Sequence, residues 1–216
     1  MKTRQAIALL TGTVLFGVHP VAGEPVTFEF GGEITYVRDH DDVLGGAVSV
    51  GSPFSGLYTF ESTTEPTRPG GGFYTDAIVA VSGEVAGLPF NGPVQGISNS
   101  ISVANDVISE GYDAYSVRVG VDLLGETLAC SFGMRDDTGA VFTTNALPLT
   151  PPDLEFFDSV PFSLGAPSEL LGLSGELTYL VPEPGTLVFL GLGGVLLAIR
   201  RHTRWMAEKA SGWHTV

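Results

Sequence analysis

The stretch Tyr115-Ser116-Val117-Arg118-Val119-Gly120-Val121-Asp122 places an apolar side chain at every second position, with small or polar residues between. A period of two marks a strand with one face in a core and the other in water. The pattern continues outward in both directions. Val26, Phe28 and Phe30 alternate with Thr27, Glu29 and Gly31; Ile97, Ile101 and Val103 alternate with Ser98, Ser100 and Ser102; Leu128, Cys130, Phe132 and Met134 share one face of a further run. Clusters of Gly, Pro, Asn and Asp separate these runs, as turns between antiparallel strands require. No stretch before Gly185 has a sustained helical period with caps. Residues 24–180 are therefore expected to be all-β, and one domain of about 155 residues can bury a full core. Two packed antiparallel sheets, a β-sandwich of jelly-roll type, are the economical arrangement.

Loops and pairings can be placed in that frame. Arg38-Asp39-His40-Asp41-Asp42 follows the first strand, residues 64–72 form a long exposed loop, and Asp136-Asp137-Thr138-Gly139 reads as a hairpin turn. Residues 148–167, punctuated by proline and carrying Phe156, Phe157 and Phe162, read as a crossing that covers a sheet edge. Gly32-Glu33-Ile34-Thr35-Tyr36-Val37 recurs as Gly175-Glu176-Leu177-Thr178-Tyr179-Leu180, and these first and last strands are expected to lie in one sheet.

Charge narrows the function. Between residues 24 and 181, 22 acidic residues face four arginines (Arg38, Arg68, Arg118, Arg135) and no lysine. Such a surface excludes nucleic acid, whose affinity comes mostly from neutralising phosphates with basic side chains. Cys130 is the single cysteine, so no disulfide can form within the chain, and its place among alternating apolar residues makes it a core thiol.

The two ends read as address segments. Lys2 and Arg4 precede an apolar run over residues 6–18, and Val21-Ala22-Gly23 offers small residues for cleavage by a signal peptidase after Gly23. At the other end Pro182-Glu183-Pro184 leads into residues 185–199, which carry no charge, and then into Arg200 and Arg201. At about 1.5 Å per residue that run makes a helix of roughly 22 Å, short of the ~30 Å hydrocarbon core, so spanning needs local thinning or snorkelling arginines. Arg200, Arg201, Arg204 and Lys209 against Glu208 place the tail, residues 205–216, on the cytoplasmic side.

The order of a Pro-Glu-Pro triplet, a short apolar helix and a basic stop resembles the PEP-CTERM sorting signal of exported bacterial proteins, here spanning residues 181–204. The resemblance implies an exosortase, an integral membrane enzyme, as the partner that processes the chain at or near the triplet. It implies Glu183 as the recognised acid, Pro182 and Pro184 as shape determinants, and Arg200 and Arg201 as the stop. Each proline fixes φ and biases its predecessor to extended geometry, so residues 181–184 are expected to be an extended segment. The precursor is then a single-pass membrane protein with its ectodomain outside the cytoplasm, destined for the cell surface or the extracellular matrix. Phe30-x-Gly32-x-Ile34-Thr35, residues 50–58 and Asn105-Asp106 ahead of Asp113-x-Tyr115 resemble a recurrent ectodomain type in such proteins, with no activity attached.

For the ectodomain itself three readings stay open. The first is a non-catalytic structural or interaction role, without cofactor. The second is a calcium-assisted carbohydrate module binding exopolysaccharide. Clustered carboxylates take hard Ca²⁺, and Asp39, Asp41 and Asp42 are the best local group, with Asn105, Asp106 and Asp113 second. Tyr74 is the aromatic residue placed to stack on a sugar ring. The third is a glycoside hydrolase-like enzyme, which needs a buried acidic pair; the many acids here single out none. H-E-x-x-H, G-x-S-x-G and P-loop patterns do not occur.

Overall fold

The computed structural model describes residues 24–105, 111–166 and 170–183. The expected signal peptide (1–23), the expected membrane helix (185–199), Asp106, Pro184, Arg200, Arg201 and the tail lie outside the described residues. Among the described residues no helix is long and apolar enough to cross a membrane.

Ten strands account for most of the fold: β1 (Pro25–Asp39), β2 (Pro53–Glu61), β3 (Phe73–Thr75), β4 (Ile78–Val85), β5 (Leu88–Gly92), β6 (Ser100–Ala104), β7 (Asp113–Leu123), β8 (Glu126–Asp136), β9 (Pro161–Gly165) and β10 (Leu171–Pro182). One 3-10 turn, Leu154–Phe156, precedes β9. Every pairing is antiparallel, and the repeated segments do face each other, with Glu33 opposite Glu176 in the β1–β10 ladder.

The sheet order differs from the expected sandwich. Neighbours run β7-β5-β4-β2-β1-β10-β9-β8, and β8 returns to β7, so eight strands close into a barrel while β6 and β3 extend from the first half of β7. The reason lies in residues 148–167, which the sequence reading made a cover over an edge. Part of that segment is β9, which bonds to β10 on one side and β8 on the other and is therefore a strand of the sheet itself. Phe162 is 1 % exposed, inside the barrel. Closure satisfies the edge groups that two stacked sheets leave open. Likewise Asp136-Asp137-Thr138-Gly139 is no hairpin turn, because it ends β8 and opens the long crossing to β9.

Aromatic rings fill the interior. Phe28, Phe30, Phe54, Tyr58, Phe60, Phe90, Tyr115, Phe132 and Phe162 are all buried. Phe54 and Phe162 stack with centroids 3.9 Å apart, and Phe28 meets Tyr58 and Phe60 edge-on. Tyr58 and Tyr115 meet through their hydroxyls at 2.9 Å, which satisfies both polar ends inside an apolar core. Room for so many rings comes from a cross-strand glycine pair, Gly56 opposite Gly83 in the β2–β4 ladder. A Cβ on Gly56 would stand 2.6 Å from Cζ of Phe30, and one on Gly83 would stand 2.4 Å from both Cζ of Phe90 and the Ser55 carbonyl oxygen. Turns are equally economical: β4–β5 and β7–β8 are joined by Ala86-Gly87 and Leu124-Gly125, whose φ angles are all positive. That geometry matches the strands' own twist.

Gly83→Ala is expected to cost about 1–3 kcal/mol by overpacking, read as a fall of several degrees in Tm with wild-type β content by circular dichroism. Alkaline stability has a second signature. Burial pushes the Cys130 thiol from an ordinary 9.0 up to about 12, and burial raises Tyr58 and Tyr115 above 10.0. Groups raised on folding contribute stability that is whole below their unfolded pKa and is lost as pH climbs toward the folded one. Tm should therefore begin to fall near pH 9, and Cys130→Ala should remove the first part of that fall in a melting series from pH 7 to 11.

Candidate functional site

β10 carries the barrel into the Pro-Glu-Pro triplet. Leu171, Leu173, Leu177 and Leu180 point inward and are buried, while Glu176, Thr178 and Val181 face out. Along β1 the strand is registered from Leu171 opposite Asp39 to Pro182 opposite Phe28, with register shifts at Gly31/Gly32 and Ile34/Tyr36. The ladder then continues one step, because the Glu183 N–H donates to the Thr27 carbonyl at 3.2 Å.

The other edge of β10 is covered for only part of its length. β9 pairs with Gly172–Glu176, the Leu177 N–H donates to the Val160 carbonyl at 3.0 Å, and there backbone pairing on that side stops. Antiparallel residues turn both backbone groups to the same side, alternately toward one neighbour and the other. With Glu183 bonded to Thr27, the backbone groups of Val181 and Tyr179 face β1. The N–H and C=O of Leu180 and the C=O of Pro182 face away, toward an edge with no backbone partner among the described residues. A groove of about 540 Å³ lies along it, walled by residues 178–182 and 150–155. Pro151 and Pro152 stand in the opposite wall and have no N–H to offer, which explains why the two walls do not join into a ladder.

Glu183 itself faces a second groove, of about 540 Å³, on the outside of β1, β2 and β4. Glu29, Glu84, Ser55, Ser82 and the backs of Gly56 and Gly83 line it. Tyr179 leans over Gly31 and its hydroxyl donates to Oε1 of Glu29 at 3.3 Å; burial, with the Glu29 charge beside it, pushes the phenol pKa up.

The model of the PEP-CTERM protein-sorting motif matches residues 180–202. The chain carries a PEP-CTERM sorting motif. Its presence implies an exported protein sorted by an exosortase. No curated protein and no solved structure matches the chain. The PEP-CTERM match begins at Leu180, a residue 6 % exposed in the barrel wall. The start of the motif is extended, as the prolines require, but as far as Glu183 it is also the last rung of a closed sheet.

Of the motif residues, Pro182 and Glu183 are brought together at the end of β10, while Pro184, Arg200 and Arg201 lie outside the described residues. Sequence reasoning missed Glu29 and Glu84 as neighbours of Glu183. Alternation turns both outward, but only the sheet order brings β1, β4 and the end of β10 to one groove.

The carboxylates proposed for calcium are not gathered. Asp39 accepts the Val43 N–H on Oδ1 and the Leu44 N–H on Oδ2, both at 2.8 Å, so it fastens a turn, and Asp41 and Asp42 are exposed. Among the described residues no group of three or more His, Cys, Asp or Glu side chains is placed to hold a metal ion. Tyr74 is also spent: it is 5 % exposed and its hydroxyl donates to the Asn145 carbonyl at 2.7 Å, so it offers no face to a sugar.

Two buried carboxylates, Asp113 and Asp136, face each other across β7 and β8. Asp113 Oδ2 accepts the Phe142 N–H at 2.6 Å. Asp136 accepts the Thr138 hydroxyl, the Thr138 N–H and the Ala140 N–H. The Thr138 hydroxyl first, then the Ala140 and Thr138 amides, hold the Asp136 carboxyl below its usual 3.8.

Hydrogen exchange resolved by residue tests the two-sided geometry of β10. The Val181 and Tyr179 amides are expected to be protected, and the Leu180 amide to exchange at least ten-fold faster.

Proposed function

We propose that this is an exosortase substrate whose barrel is a non-catalytic cargo, delivered to the cell surface or the extracellular matrix and released from its membrane segment at or near Pro182-Glu183-Pro184. In this reading the precursor is targeted by residues 1–23, held by one helix over residues 185–199 and stopped by Arg200 and Arg201. The observation that carries it is the continuity of the PEP-CTERM motif with β10: the motif begins at Leu180, inside that strand.

Hydrogen bonding at the buried acids favours a non-catalytic barrel: the Asp136 oxygens are occupied by the loop that follows it, and Asp113 Oδ2 accepts the Phe142 N–H. An acidic exterior suits a component that stays soluble outside the cell.

The test is the intact mass of protein recovered from the cell surface and medium of the native host. A product ending between residues 181 and 184 is expected. Glu183→Ala is expected to lower the processed fraction at least ten-fold while leaving barrel stability within about 0.5 kcal/mol, as for other surface changes. A mass running on to Val216, or normal processing of Glu183→Ala, would sink this reading.

A further inference from the structure

We infer that the open edge of β10 is a strand-addition site, at which the sorting enzyme docks an extended segment of its own backbone before it acts on the triplet. This rests on the exosortase reading and deepens it: the enzyme reads the folded end of the barrel as well as Pro-Glu-Pro. Three observations carry the inference.

The first is the set of unpaired groups. Leu180 presents an N–H and a C=O, and Pro182 a C=O, to one side of a regular strand with no backbone partner among the described residues. Main-chain groups in this position take an added strand, as in other strand-addition complexes. The second is room and protection. The groove of about 540 Å³ between residues 178–182 and 150–155 holds the edge open, and Pro151 and Pro152 keep the chain's own loop from filling it. The third is continuity. The PEP-CTERM match starts at Leu180, the residue whose backbone is offered, so a segment laid along the edge lies against the first residues of the motif.

The groove also states the charge of its occupant. Asp153 and Glu155 stand on the loop wall, whereas no Lys or Arg lines the groove. The occupant is an extended segment with basic side chains. Pairing on this edge leaves the β1 ladder intact, so the enzyme can hold β10 without first peeling it from the barrel.

The test is the processing rate of the full-length precursor in its native host, followed by intact mass after pulse labelling. Thr150→Trp fills the groove and Glu155→Lys reverses a wall charge. Both positions are exposed and outside the triplet. Each is expected to slow processing at least ten-fold, with the same cleavage position and an unchanged melting curve for the purified barrel. Wild-type rates in both variants, with processing still lost in Glu183→Ala, would overturn the edge site and leave the sorting reading standing. A Thr150→Ala control, which enlarges the groove, is expected to be processed at the wild-type rate; a ten-fold loss there would also overturn the proposal.

Discussion

The ladder between β1 and β10 joins the two ends of the described chain, and the other six barrel strands take their places between them. Without it the sheet is an open curl whose first and last edges are both exposed. With it, every strand of the barrel has two neighbours over at least part of its length, and the rings inside lose their contact with water. The ladder cannot form until residues near 180 have been made, because its halves are the most distant parts of the domain. Non-local pairing of this kind is slow to reach, since loop closure must precede the contacts that reward it. A closed barrel therefore exists only once the chain has been synthesised to the threshold of the PEP-CTERM motif.

The interior explains why the wall has the composition it has. A barrel of eight strands is just wide enough for side chains to fill it. Nine aromatic rings in that space demand places where the wall carries no side chain of its own. Gly56 and Gly83 supply one such place, beneath Phe30 and Phe90. Their other faces form the floor of the outer groove beside Glu183, so a packing requirement inside the barrel shapes the surface near the sorting signal.

Much of this was legible in the sequence. Alternation located the long strands, put Cys130 in the core and turned Glu29 outward. The recurrence of Gly-Glu-x-Thr-Tyr pointed to one sheet holding both β1 and β10, which the structure makes direct neighbours. Closure was not legible, because β9 has only Phe162 and Leu164 to show between prolines and a glycine, too short a period to separate a strand from a loop. The mistaken sandwich follows from that one omission. The partners of Tyr74 and Asp39 were not legible for a related reason: local sequence shows a side chain's chemistry but not whether a distant carbonyl or a nearby amide already occupies it. Pro182 and Glu183 were legible because their signal is local, whereas the open edge beside them depends on where β9 stops.

The registration of Glu183 against Thr27 has a mechanical meaning. Glu24 and Glu183 lie at the same end of the barrel, and the Glu183–Thr27 bond is the last rung of the ladder among the described residues. A pull on the chain beyond Glu183, directed away from β1, loads that rung alone, and each break passes the whole load to the next, as in the opening of a zipper. A pull along the strand axis would instead share the load across many rungs at once. The direction of a pull on the chain beyond Glu183 thus decides whether the domain resists tension as a weak seam or as a strong one.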